Sequence, residues 1–182
     1  MATTHVFVGL ALVVPAALAV PEFATPLAVG AILGGVAPDL DIVFDHRRTL
    51  HFPVTAGVLA VPAVGVALVV PSVLSVAGAA FLVATWIHAL SDAAGGGPDF
   101  DPWTNPTEKG VYDHVNGRWI RPRRWIRYDG APEDAVLAVA LAVPALVVFD
   151  GWIQTVVVAG VVISLGYALI RRRMVEWADV LE

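Results

Sequence analysis

The chain has 182 residues, 58% of them hydrophobic, and a mean hydropathy of +0.75. A soluble domain is usually about 45–50% apolar, so the composition reads as an all-α polytopic membrane protein, a single integral domain over residues 1–182. The net charge of −5 argues against a nucleic-acid partner, and the absence of cysteine excludes disulfides, thiolate metal ligands and a thiol nucleophile.

Six apolar segments follow one another, expected over about 4–20, 23–37, 53–70, 72–91, 133–149 and 152–170. Each holds roughly 15–20 residues, close to the minimum for a ~30 Å hydrocarbon core. The first carries His5 near its start and Pro15 inside it. Ala17-Leu18-Ala19 matches the small-x-small pattern of a signal-peptide cleavage site, but no basic stretch precedes the apolar run, so an uncleaved span is expected. After Val20-Pro21-Glu22 comes the second segment, with Pro26 and a Gly30-x-x-x-Gly34 pair that lets another helix approach closely. It leads into Pro38-Asp39-Leu40-Asp41. Two acids at a helix exit oppose the macrodipole, and a bound cation would resolve the conflict.

A loop with His46-Arg47 and His51 precedes the third segment, which contains Pro62. The fourth begins after Val70-Pro71-Ser72 and ends in His88-x-x-x-Asp92, a spacing that puts both side chains on one helical face. Gly95-Gly96-Gly97-Pro98 then stops the helix and opens a cytoplasmic loop over 93–132. That loop holds Asp99, Asp101, Trp103, His114 and the repeated Arg118-Trp119-Ile120-Arg121 and Arg124-Trp125-Ile126-Arg127. Trp with Arg favours the membrane–water interface, as an anchor or as a clamp for anionic headgroups. Pro132-Glu133-Asp134 carries helix-start signals, leaving site roles for Glu133, Asp134 and His114 unassigned. The fifth segment contains Pro144, and Phe149-Asp150-Gly151 turns the chain into the sixth, followed by a short amphipathic tail, Met174–Glu182. Prolines within these segments are tolerated in membrane helices, usually as kinks.

Very short turns make consecutive helices antiparallel, so three helical hairpins are expected. The tight turns hold Glu22 and Asp150 and no base, whereas all eleven Lys and Arg lie on the opposite side. The positive-inside rule makes that side cytoplasmic. The protein is therefore placed in the cell membrane with both termini cytoplasmic. His5, Asp39, Asp41, His46, His51, His88 and Asp92, though scattered, all fall at the cytoplasmic rim.

Polar groups near hydrocarbon cost several kcal/mol unless paired, so this set reads as a site. His and carboxylates suit zinc first, with manganese or iron as alternatives. There are more candidates than one tetrahedral ion needs, which allows a two-metal arrangement. The expected ligands are His5, Asp39, His51, His88 and Asp92. Asp41, His46 and Arg47 are the expected catalytic residues, Asp41 or His46 as general base and Arg47 as a fork for a phosphoryl oxyanion. Asp41 and His46 also remain possible further ligands. Gly-x-Ser-x-Gly, His-Glu-x-x-His and P-loop motifs are absent.

An N-terminal His, Pro-Asp-x-Asp, His-Arg…His and His-x-x-x-Asp, in this order among apolar spans, resemble the LexA-regulated inner-membrane metal-dependent hydrolases. The matching positions are His5, Asp39, Asp41, His46, Arg47, His51, His88 and Asp92, covering residues 1 to about 95 and more loosely the remainder. The family's His-Arg-Gly-x-Thr-His element stands here as His46-Arg47-Arg48-Thr49-Leu50-His51, with Arg in the Gly place, the Thr one place early and Leu before the His. The family is similar in turn, more distantly, to zinc-dependent phospholipase C and the single-strand-specific zinc nucleases. The resemblance implies metal-dependent phosphoester hydrolysis at the membrane but supplies no substrate; membrane lipid is the expected partner, with a phospholipid or another phosphoester as candidate substrate. Two other functions compete: a non-enzymatic membrane protein with a structural metal site, and a metal-ion transporter. A transporter would place its site near the bilayer midplane, whereas these residues lie at segment ends.

Overall fold

The structure, a computed structural model, describes residues 1–104 and 106–181. It is mostly helical. Among the described residues there are six α-helices and one small hairpin: α1 (Ala2–Ala19), α2 (Ala24–Val36), α3 (Thr55–Val69), α4 (Val73–Ala94), β1 (Val111–Asp113), β2 (Arg118–Ile120), α5 (Pro132–Val148) and α6 (Gly151–Leu181). Four stretches, Ala2–Ala19, Pro21–Val43, Val73–Ala94 and Gly151–Val175, are long and apolar enough to cross a membrane. Apolar α3 is shorter, at 15 residues.

Consecutive helices pack in pairs, α1 on α2, α3 on α4 and α5 on α6, with α1 and α4 as the central elements. Pro15, Pro62 and Pro144 sit inside α1, α3 and α5, whereas Pro26 falls in the first turn of α2, where a missing N–H costs nothing. A 3-10 turn over Pro21–Phe23 joins α1 to α2. Ser72 and Ser75 cap α4 reciprocally, each side chain bonding the other residue's backbone N–H.

Three features depart from the sequence reading. The second segment does not stop at Pro38 but tightens into a 3-10 helix over Ala37–Val43, which carries Asp39 and Asp41. The tail is not separate from the sixth segment: α6 runs on for 31 residues to Leu181, with Glu182 outside the described residues. The two Arg-Trp-Ile-Arg copies are not equivalent, since Arg118–Ile120 forms β2 while the second copy is irregular. β1 and β2 pair antiparallel, with Tyr112 opposite Trp119. Gly117 at φ +63° and the Asp113 carboxylate, which accepts from the N–H groups of Val115 and Asn116, make their turn.

The interior is built from small residues. Ala28, Ala31, Ala80, Ala84, Ala138 and Ala142 are buried around Phe7 and Leu10. Lipid tails are as apolar as a protein core, so helices in a membrane associate through close backbone approach. Gly30 and Gly34 fit this role: a Cβ there would collide with the carbonyl oxygens of Ala77 and Phe81 on α4. Gly65 of α3 faces open space. Gly34→Val is therefore expected to cost about 1–3 kcal/mol by overpacking, while Gly65→Val lacks this penalty. Thermal unfolding of both variants in detergent, followed by circular dichroism, checks the difference.

Candidate metal centre

The site begins with one carboxylate that folds a loop around itself. Asp41 is fully buried in the 3-10 segment. Its Oδ1 accepts from His46 Nδ1 at 2.8 Å and the Arg47 N–H at 3.4 Å. Its Oδ2 accepts from His51 Nδ1 at 2.9 Å and the Leu50 N–H at 3.1 Å. A buried carboxylate needs this many donors to offset its desolvation. Arg47 adopts φ 60° in this turn, a left-handed conformation costing roughly 1–2 kcal/mol for a residue with a Cβ. The side of the turn is propped by the hairpin: Tyr112 N–H donates to the Arg47 carbonyl at 2.9 Å, and His114 Nε2 donates to that of Arg48 at 2.6 Å.

The turn aims His51 into the protein. Its Nδ1 faces an acceptor-only carboxylate, so Nδ1 carries a proton and Nε2 is the atom turned toward the interior. His88 of α4 is fixed in the same way, with Nδ1 donating to the Gly35 carbonyl at 2.8 Å. The Ser91 hydroxyl donates to the His88 carbonyl, which leaves its oxygen to accept from His5 Nδ1 at 2.9 Å. Three hydrogen bonds at Nδ1 thus turn three Nε2 atoms inward, the arrangement usual for metal-binding histidines.

These Nε2 atoms converge on two carboxylates. Asp92 Oδ1 lies 3.2 Å from His5 Nε2, and Oδ2 lies 2.9 Å from His51 Nε2 and 3.6 Å from His88 Nε2. Asp39 Oδ1 lies 3.4 Å from His88 Nε2 and 3.9 Å from His51 Nε2. The rings of His5 and His88 stack at 3.8 Å. His51 Nε2, His88 Nε2 and Asp92 Oδ2 are buried with no hydrogen-bond partner. Nitrogen and carboxylate lone pairs this close repel unless a proton or a metal cation lies between them. An ion with bonds of about 2.1 Å sets neighbouring donors roughly 3.0–3.4 Å apart, close to the observed spacings. His5, His88 and Asp92, and Asp39, His51 and His88, form two groups able to hold a metal ion. Both use His88 Nε2, and Asp92 offers an oxygen to each side.

All five side chains expected as ligands therefore meet in one cluster. Asp41, an expected catalytic residue, has both oxygens occupied and faces away from it. His46 lies at the surface of a cleft of about 280 Å³ that also reaches Asp39 and Asp129. Arg47 does not present the free fork expected for an oxyanion. Its guanidinium is buried, with Nη1 donating to the Gly96 carbonyl and Nη2 lying 3.1 Å from Asp129 and 3.4 Å from Asp92. Glu133 pairs with Arg127 at 2.8 Å. Asp134 accepts from Thr4 Oγ1 at 2.7 Å and the Gly130 N–H at 3.0 Å. His114, Glu133 and Asp134 thus lie outside the cluster.

Sequence reading missed Asp129 and Ser91. Asp129 balances Arg47 from the long loop. Burial alone would raise its carboxyl pKa, but the Met1 amino group and Arg47 outweigh burial and hold it well below the usual carboxylate range. Ser91, three residues after His88 on the same helical face, had a readable signal in that spacing. Asp129 had none beyond its place beside Gly130, which takes φ +81° in a turn.

No family profile, curated protein or solved structure matches the chain.

Proposed function

We propose that this chain is a six-span membrane protein with both termini in the cytoplasm, and that its His/Asp cluster is the centre of a divalent-metal-dependent phosphoester hydrolase. The orientation is supported by the basic residues, which avoid the three tight turns. The observation that carries the catalytic reading is the asymmetry of the cluster. His5, His51, His88 and Asp92 are buried, while Asp39 is partly exposed and opens on the same cleft as His46. A purely structural metal site would be closed on every side.

In this reading His5, Asp39, His51, His88 and Asp92 hold the metal, zinc being the best fit to three imidazoles and two carboxylates. The bound ion would supply Lewis acidity and lower the pKa of a coordinated water toward ~7. The chain's residues divide the other tasks. Asp41 fixes the tautomers of His51 and His46, leaving His46 Nε2 free to accept or return a proton at the cleft. Arg47 positions Asp92 and shares its charge. The resemblance to the LexA-regulated membrane hydrolases agrees with this assignment, and the choice of a phosphoester rests on it.

The test combines metal analysis of purified protein in nanodiscs with a panel of phosphodiesters, phosphomonoesters and phospholipids. At least one divalent ion per chain is expected, with hydrolysis of at least one class. His46→Ala should retain metal and lose roughly 10²–10⁴-fold in turnover. Metal-loaded protein that hydrolyses nothing would leave a structural metal site as the better account.

A further inference from the structure

The cleft at Asp39 and His46 has a second end that the hydrolase reading does not use. It extends from those side chains and Asp129 to Ile42, Ile163 and Tyr167. Ile163 lies within the apolar stretch Gly151–Val175, beside Ser164, whose hydroxyl donates to Thr3 Oγ1 at 2.7 Å in the first turn of α1. Ile163 is 60% exposed, so in a spanning helix it faces lipid. Tyr167 lies one turn further along the same face, with its ring against Gly130. A side chain with an apolar ring and a polar tip suits that intermediate position.

The opposite wall is the 3-10 segment that carries Asp39 and Asp41. Its larger apolar side chains are open: Leu40 is 59% exposed, Ile42 72% and Val43 75%, with Phe44 beside them at 71%. Four large exposed apolar residues within five positions would be an unusual patch to leave in water. They are accounted for if this rim is immersed in the bilayer. Among the described residues α6 packs mainly on α5 and α1, and at most slightly on α2 and the 3-10 segment, which leaves the gap open. The cleft therefore joins a lipid-facing helix surface to the polar cluster, and one of its walls is itself lipid-facing.

We infer that the substrate is a membrane phospholipid that reaches the cluster sideways between the 3-10 segment and α6. Its phosphoester head lies at Asp39 and His46, and the start of its acyl chains lies against Ile42, Ile163 and Tyr167. At about 280 Å³ the cleft is near the small end of ligand sites, so it holds the head and the first part of the tails while the rest stays in the bilayer. The identification of the head as the reacting part rests on the hydrolase reading; the lipid position does not.

The experiment uses full-length protein in phosphatidylethanolamine/phosphatidylglycerol nanodiscs, as wild type, Ile163→Trp and Val158→Trp. Val158 is a half-exposed position elsewhere on α6 and controls for a Trp added to the lipid-facing surface. Turnover of the nanodisc phospholipid is compared with that of soluble bis(p-nitrophenyl) phosphate. Ile163→Trp, which fills the apolar end of the cleft, is expected to lower the phospholipid-to-soluble ratio at least tenfold with metal content unchanged, and Val158→Trp to leave the ratio within twofold. An unchanged ratio in Ile163→Trp, or wild type that cleaves the soluble diester and no phospholipid, overturns the inference. If wild type cleaves neither, the hydrolase reading fails instead, and native mass spectrometry decides the lipid question. Phospholipid retained by wild type and lost at least severalfold in Ile163→Trp supports the inference, whereas equal retention overturns it.

Discussion

Asp92→Asn is expected to bind zinc at least a hundredfold more weakly than wild type, the largest effect of any conservative change in the cluster. Asp92 is the side chain whose two oxygens face different histidines, with His5 on one side and His51 and His88 on the other. As a carboxylate it offers only acceptors to the three Nε2 atoms, an arrangement suited to a proton or a metal cation between them. As an amide it offers an N–H that one imidazole can accept, so part of the repulsion is relieved without an ion while the charge that would bind one is lost. Asp41→Asn makes the informative contrast. That carboxylate touches no proposed metal position, yet it orients His51, and loss of such an orienting partner typically weakens metal binding about 10–100-fold. Competition with a chromophoric chelator ranks the three proteins. Stoichiometric zinc in Asp92→Asn under conditions that strip Asp41→Asn would reverse the order and remove Asp92 from the centre.

How far the chain could be read in advance depended on the range of each signal. Apolar runs and the segregation of eleven basic residues are properties of whole segments, and they survive without knowledge of packing. The tight turns then brought His5, Asp39, His51, His88 and Asp92 to one end, because antiparallel helices allow few other placements. What stayed hidden was decided over one or two residues or across long separations. Asp39 and Asp41 are chemically identical and two residues apart, and only the 3-10 geometry turns one toward the imidazoles and the other behind them. Asp129 meets Arg47 across 82 residues of chain, a pairing that no periodicity encodes. The continuation of α6 was obscured by Arg171–Arg173, which looked like the end of a span. In the fold, Arg171 bonds the carbonyl groups of Asp129 and Phe100, and its guanidinium lies over the rings of Phe100 and Trp103, so the helix end is held by the loop. The hairpin was missed because three-residue strands are too short for an alternation to register, although Asn116-Gly117 is a turn signal of the right kind.

Arg47→Met should destabilise the metal-free protein by about 3–5 kcal/mol, because it leaves Asp92 and Asp129 without their shared buried cation. The removed guanidinium spans the two carboxylates and the Gly96 carbonyl, so the loss exceeds what a surface ion pair would give, about 0–1 kcal/mol. Arg47→Gly adds a second comparison. It relieves the left-handed backbone strain, worth roughly 1–2 kcal/mol, yet gives up the same charge contacts and leaves a cavity that Met would fill, so it too should be less stable than wild type. Zinc changes the balance: a cation between the imidazoles and Asp92 neutralises the carboxylate that Arg47 otherwise compensates, so the deficit of Arg47→Met should shrink on loading. Equilibrium unfolding in mixed detergent, with and without zinc, measures all of this. A deficit that is the same in both conditions would mean that Arg47 and the metal do not act on the same carboxylate. If Arg47 instead contacted the reacting phosphoryl group, Arg47→Met would lose turnover with zinc bound and keep its stability, the opposite pattern to the one the buried geometry implies.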